Sequence, residues 1–132
     1  MNRTWLMLGS VSAFTAVLLG AFAAHGLKKL ISVDMISIFS TGVDYQFYHS
    51  FGLFICAIYA KECLQPKALD YLSAAAGLFM AGIVLFSGSL YLYALTMQKW
   101  LGPVTPLGGG CFLLGWACLG LCFWRNKNNS EI

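Results

Sequence analysis

Few side chains in this 132-residue chain could do chemistry, and they gather in four short stretches. His25 closes GAFAAHG, and Asp44, Tyr45, Gln46 and His49 fall together in VDYQFYHS. Ser87, Ser89 and Tyr91 lie in FSGSLYLYALT, and Thr105 lies in PVTPLGGG. On helices, residues four apart share a face, which pairs Tyr45 with His49, Asp44 with Tyr48, Ser87 with Tyr91 and Ser89 with Tyr93. Imidazoles titrate near neutral pH and suit proton handling. Two histidines on separate segments also raise axial haem ligation. The same hydroxyl, amide and imidazole groups equally suit a buried network in which each satisfies another. A ligand or proton site, a docking face for a partner and a structural lock all stay open on these residues.

Cys56, Cys63, Cys111, Cys118 and Cys122 add five thiols, an odd number with no CxxC spacing. Most lie in or beside apolar runs, where a thiol packs as a small apolar group. Cys118 and Cys122 share a helix face, but without histidine or carboxylate support they make a poor metal site. No metal site, catalytic residue or cofactor is expected. There is no serine-centred elbow, no HExxH and no phosphate-cradling loop, so hydrolase and phosphoryl-transfer chemistry is set aside.

The elements that position these groups follow from composition. Of the residues 59% are hydrophobic and 10% charged, with a mean hydropathy of +0.74. An ordinary soluble domain carries about 25% charged residues. So short a chain cannot hide that much apolar surface from water, so its solvent is lipid. The net charge of +3 lies at the edges of apolar runs, which suits membrane-surface anchoring and gives no basic patch for nucleic acid.

A membrane-crossing helix needs about 20 mostly apolar residues. Runs at about 5–24, 45–60, 71–97 and 106–124 meet or approach that length, so the chain reads as all-α, an integral membrane four-helix bundle running up-down-up-down. No segment alternates as a strand would, and bilayers admit only helices or closed barrels. Between the first two runs, Leu27, Leu30, Ile31, Met35, Ile38 and Phe39 recur at helical spacing, which predicts a short amphipathic interfacial helix; an ordinary connecting loop is the alternative. Residues 125–132 read as a polar, disordered tail.

With four spans both termini share a side. Arg3, Lys61, Lys67, Arg125 and Lys127 fall there, against Lys28, Lys29 and Lys99 opposite, which favours cytoplasmic termini. The first run also carries signal-peptide features, but its apolar stretch exceeds the usual h-region of about 7–15 residues, so it is expected to be retained. Ala16, Gly20 and Ala24, and again Ser73, Gly77 and Ala81, recur every four residues, the spacing that lets helices approach closely in lipid. The partner helix could be internal, a second copy or another membrane protein. Up-down topology would bring all four polar stretches to the face opposite the termini. Gly88 and Gly108 to Gly110 would admit close neighbours or a ligand there.

Taken in order, GAFAAHGLKK, YQFYHSFGL, FSGSLYLYALT and GPVTPLGGGCFLLGW resemble the small bacterial inner-membrane family indexed as domain of unknown function 423. Transmembrane protein 256 looks like its eukaryotic relative. The resemblance runs from about Leu8 to Trp124 and implies a four-span bacterial inner-membrane protein whose first span is kept. It carries over no activity, cofactor or catalytic residue. Where the family pattern resembles GAFGAHG, this chain has Ala23, which puts only the closest helix approach in doubt. The reading is a non-enzymatic membrane component, a small bundle that associates with itself or with a larger complex; the alternatives are a small ligand- or proton-handling transporter or a redox, haem-binding membrane protein.

Overall fold

The structure, a computed structural model, describes residues 1–127, and every regular element among them is helical. Asn2 opens α1 (Arg3–Ala24) by accepting the Trp5 N–H at 3.2 Å, a side-chain cap for one of the free donors of a first turn. Ser32 caps α2 (Val33–Tyr59) in the same way through Met35 N, with Asp34 set against the positive end of the helix dipole. Pro66 starts α3 (Pro66–Gly82), where its missing N–H costs nothing. A π-helical stretch, Ile83–Ser87, carries α3 directly into α4 (Gly88–Thr96). α4 stops at Met97, which sits in the left-handed region at φ 55°. Single 3-10 turns at Leu27–Lys29 and Lys99–Leu101 lead into α2 and α5 (Val104–Lys127).

These bounds correct the sequence reading in two places. The second helix begins at Val33, far before residue 45, and the expected separate amphipathic helix is divided instead. Leu27 belongs to the 3-10 turn, while Met35, Ile38 and Phe39 form the first turns of α2. Their apolar faces pack around Ala23 and Ala94, so these turns are held by the bundle. At the other end, α5 continues through Arg125 to Lys127, and the remainder of the expected tail, 128–132, lies outside the described residues.

Among the described residues, three helical stretches are long and apolar enough to cross a membrane: Arg3–Lys29, Pro66–Thr96 and Lys99–Asn126. At 27 residues α2 is also long enough, but Asp34, Asp44, Gln46 and His49 lower its hydropathy. The helices pack as two antiparallel pairs. Asn2 N donates to Ala57 O at 3.0 Å, which fixes the start of α1 on the end of α2. At the other pair, Ala75, Ala76 and Phe79 of α3 meet Phe112 and Leu119 of α5.

Small residues make the close approaches. A methyl group at Gly115 would meet the Phe79 ring at 2.8 Å, and one at Gly9 would meet Phe54 at 2.8 Å. The anticipated stripes serve unequally: Ala16 is buried against α2, whereas Ser73 and Gly77 face outward. The outer surface is apolar, with Phe14, Val17, Leu107 and Leu113 each at least 60% exposed.

Candidate functional site

Gln46 is the hub of the polar interior. Its Nε2 donates to Ser12 O at 2.9 Å and to Thr15 Oγ1 at 2.8 Å, and its Oε1 accepts from Tyr91 OH at 2.6 Å. One amide therefore ties α1, α2 and α4 together. Ser50 Oγ extends the network, 2.8 Å from Ser12 Oγ and 2.7 Å from Gln46 O. Gly42 makes room for the Tyr91 ring, which a methyl there would meet at 2.8 Å. In low dielectric a satisfied network of this kind fixes helix register as well as adding energy. Ser12, Thr15 and Ser50 were not among the sequence candidates. They sit mid-helix in apolar surroundings, and only the search for a partner to Gln46 could have singled them out.

His49 forms a second centre, one turn along α2. Trp116 Nε1 of α5 donates to His49 Nε2 at 3.1 Å. An indole N–H can only donate, so Nε2 accepts and the ring proton resides on Nδ1, 2.6 Å from Tyr45 O. Phe112 stacks on the imidazole with centroids 3.5 Å apart and planes 8° from parallel. Both ring nitrogens are engaged, so an axial bond to haem iron would cost one of these hydrogen bonds. His25 stands exposed at the end of α1.

The remaining candidates separate. Ser89 Oγ lies 2.6 Å from Thr105 Oγ1 and closes α4 onto the start of α5. Ser87 is buried, and its hydroxyl has no hydrogen-bond partner among the described residues. Asp44 is exposed and makes no ion pair among the described residues; it lines a shallow cleft of about 220 Å³ between α1 and α2. The single cluster expected at one face is thus three groups, centred on Gln46, His49 and Thr105. Gln46 reaches α1 at Ser12 and Thr15, halfway along that helix and not at its His25 end.

Beside His49 a larger cleft of about 660 Å³ opens between α2 and α5. Tyr45, Phe86, Phe112 and Trp116 form its walls, with Pro106, Gly109, Gly110 and Leu113 along α5 and Tyr48 at its rim. The three consecutive glycines divide the work. A methyl at Gly108 would strike the Phe86 backbone, so Gly108 admits the π-helical stretch. A methyl at Gly109 would make only ordinary contact at 3.8 Å, and one at Gly110 would meet nothing. Helix packing does not require glycine at those two positions; their absent side chains keep the cleft open. Gly88, expected to face a close neighbour, meets open space.

An all-helical fold with an apolar exterior and a hydrogen-bonded polar interior is a transmembrane helical bundle. The chain belongs to the family described as "Protein of unknown function (DUF423)", whose profile matches residues 19–109. It is 42% identical to the UPF0382 membrane protein YwdK of Bacillus subtilis, over 86% of this chain and 90% of that protein. A UPF0382 membrane protein of Haemophilus influenzae is 37% identical over 97% of this chain and 99% of its own length. The UPF0382 inner membrane protein YgdD of Escherichia coli is 35% identical over 89% of this chain and 87% of that protein. No solved structure matches.

Proposed function

We propose that this chain is a four-span, non-enzymatic component of a bacterial inner membrane that holds an apolar bilayer molecule in the cleft beside His49. The spans run up-down-up-down with cytoplasmic termini, and the first is retained. Two observations support α2 as a span: Gln46 and His49 both turn inward and are satisfied there, and α1 lies antiparallel along α2. The excess of basic residues beside the termini supports the orientation. The motif likeness to transmembrane protein 256 belongs to the same reading.

The observation that carries the binding role is the glycine-floored, aromatic-walled cleft. Its volume lies within the range of about 300–1,000 Å³ usual for ligand sites. Along α5 it extends from Pro106 to Trp116, about 15 Å at 1.5 Å per residue. That is half of a hydrocarbon core of about 30 Å, the depth of one leaflet. An acyl or isoprenoid tail has the matching length and polarity.

Native mass spectrometry of the chain extracted in mild detergent tests this, comparing wild type with Gly110→Leu. A Cβ at Gly110 meets nothing within 4 Å and Gly110 lines the cleft, so a leucine there takes up part of its volume. Wild type retains a hydrocarbon-tailed molecule that Gly110→Leu, folded by circular dichroism, does not. Equal retention by both would reject the cleft as the site.

A further inference from the structure

The sequence shows no cysteine pair spaced for redox work, but the fold makes one. Cys63 lies in the connection between α2 and α3, and Cys122 lies near the end of α5. They are 59 positions apart in sequence, both free thiols, and their Sγ atoms are 3.4 Å apart. The connection is fixed on both sides of Cys63. Asn126 Oδ1 accepts from Leu64 N at 3.2 Å, and Asn126 Nδ2 donates to Glu62 O at 2.8 Å. Gln65 Nε2 donates to Arg125 O at 2.9 Å. Every one of these bonds lands on the turn of α5 that follows Cys122. A disulfide needs about 2.05 Å between sulfurs, so bonding requires the two sulfurs to close the remaining gap.

Access is unequal. Cys63 is half-buried at the edge of the bundle, whereas Cys122 is fully buried. A reagent in water therefore reaches Cys63 first, with Cys122 directly behind it.

We infer that Cys63 and Cys122 form a redox-active dithiol that exchanges with low-molecular-weight disulfides and, when oxidised, staples the α2–α3 connection to α5. The Cys63 thiol loses its proton to solvent and attacks one sulfur of the small disulfide. That S–S bond breaks, one small thiol leaves and takes up a proton, and a mixed disulfide forms on Cys63. Cys122 then attacks the Cys63 sulfur, its proton passing to the second departing small thiol, and the intramolecular disulfide closes. The protein loses two electrons and two protons, and the small disulfide becomes two thiols. This inference uses neither the cleft nor its occupant.

The test is exposure of the full chain, in membrane vesicles, to oxidised glutathione, read by intact-mass and peptide mass spectrometry. The expected wild-type product is lighter by two hydrogens, carries a Cys63–Cys122 cross-linked peptide and returns to the starting mass with reductant. Cys63→Ser should abolish it. Cys122→Ala should trap the glutathione adduct on Cys63, because the thiol in contact with Cys63 is gone. Cys122→Ser serves as a second variant if alanine unfolds the bundle, and Cys56→Ala, which removes another thiol of the same cluster, should leave the wild-type outcome unchanged. A stable glutathione adduct on wild-type Cys63 would overturn the inference. So would a cross-link from Cys63 to Cys56 in place of Cys122, modification of Cys111 or Cys118 with Cys63 and Cys122 untouched, or no modification at all.

Discussion

Replacing Gln46 with leucine removes a side chain whose hydrogen bonds join three helices. Three hydrogen bonds disappear, to Ser12 O, Thr15 Oγ1 and Tyr91 OH. Side-chain hydrogen bonds between membrane helices average about 0.6 kcal/mol each, giving about 2 kcal/mol for the set. Tyr91 OH also loses its hydrogen-bond partner, and an unsatisfied buried hydroxyl adds about 1 kcal/mol or more. The expected loss is about 3 kcal/mol, on the order of a hundredfold in the folding equilibrium. Tyr91→Phe alone, which strands only Gln46 Oε1, should cost about 1–2 kcal/mol. The double variant should then be less destabilised than the sum by about 1 kcal/mol, because the second change removes a partner already lost. Reversible unfolding in mixed micelles, followed by far-ultraviolet circular dichroism, measures all four corners of the cycle. Additivity within about 0.5 kcal/mol would refute the shared bond, and a neutral Gln46→Leu would refute the hub.

Other expectations concern single positions. Gly108→Ala should unfold or severely destabilise the bundle by driving a methyl into the Phe86 backbone, whereas Gly110→Ala should be neutral or stabilising by about 0.5–1 kcal/mol; thermal melts compare them. Met97→Gly should raise stability by about 1 kcal/mol in the same melts, because a left-handed conformation penalises any side chain with a Cβ. Trp116→Phe should cost about 1 kcal/mol by removing the donor to His49 Nε2, and a change of zero in unfolding titrations would argue against that bond. Asp44→Asn should leave unfolding unchanged or improved, since Asp44 is exposed and makes no ion pair among the described residues.

Legibility followed the distance over which each feature is determined. The apolar runs marked α1, α3 with α4, α5 and the second half of α2, because an apolar surface is written into every turn of such a helix. Gln46, Tyr91, His49, Ser89 and Thr105 were visible as polar groups in apolar company, and each does find a partner. What could not be read was pairing across long separations. Gln46 bonds to Ser12, 34 positions earlier, and Cys63 meets Cys122 after 59. The early start of α2 was hidden because Asp34, Ser37 and Ser40 interrupt the apolar pattern, while the cap at Ser32 and the packing of Phe39 override it. The π-helical stretch has no signal in IVLFS; the contact at Gly108 reveals it only in three dimensions.

The central claim is that α2 crosses the bilayer despite its polar residues, since only then are Gln46 and His49 intramembrane groups. Its most direct test is the sidedness of the two ends of α2. Single cysteines at Lys28 and Lys61, introduced into a chain whose five native cysteines are replaced by serine or alanine, are treated with a membrane-impermeant maleimide before and after permeabilisation. The account predicts labelling of Lys28→Cys from outside intact cells and of Lys61→Cys only after the membrane is opened. Labelling of both from the same side would contradict it.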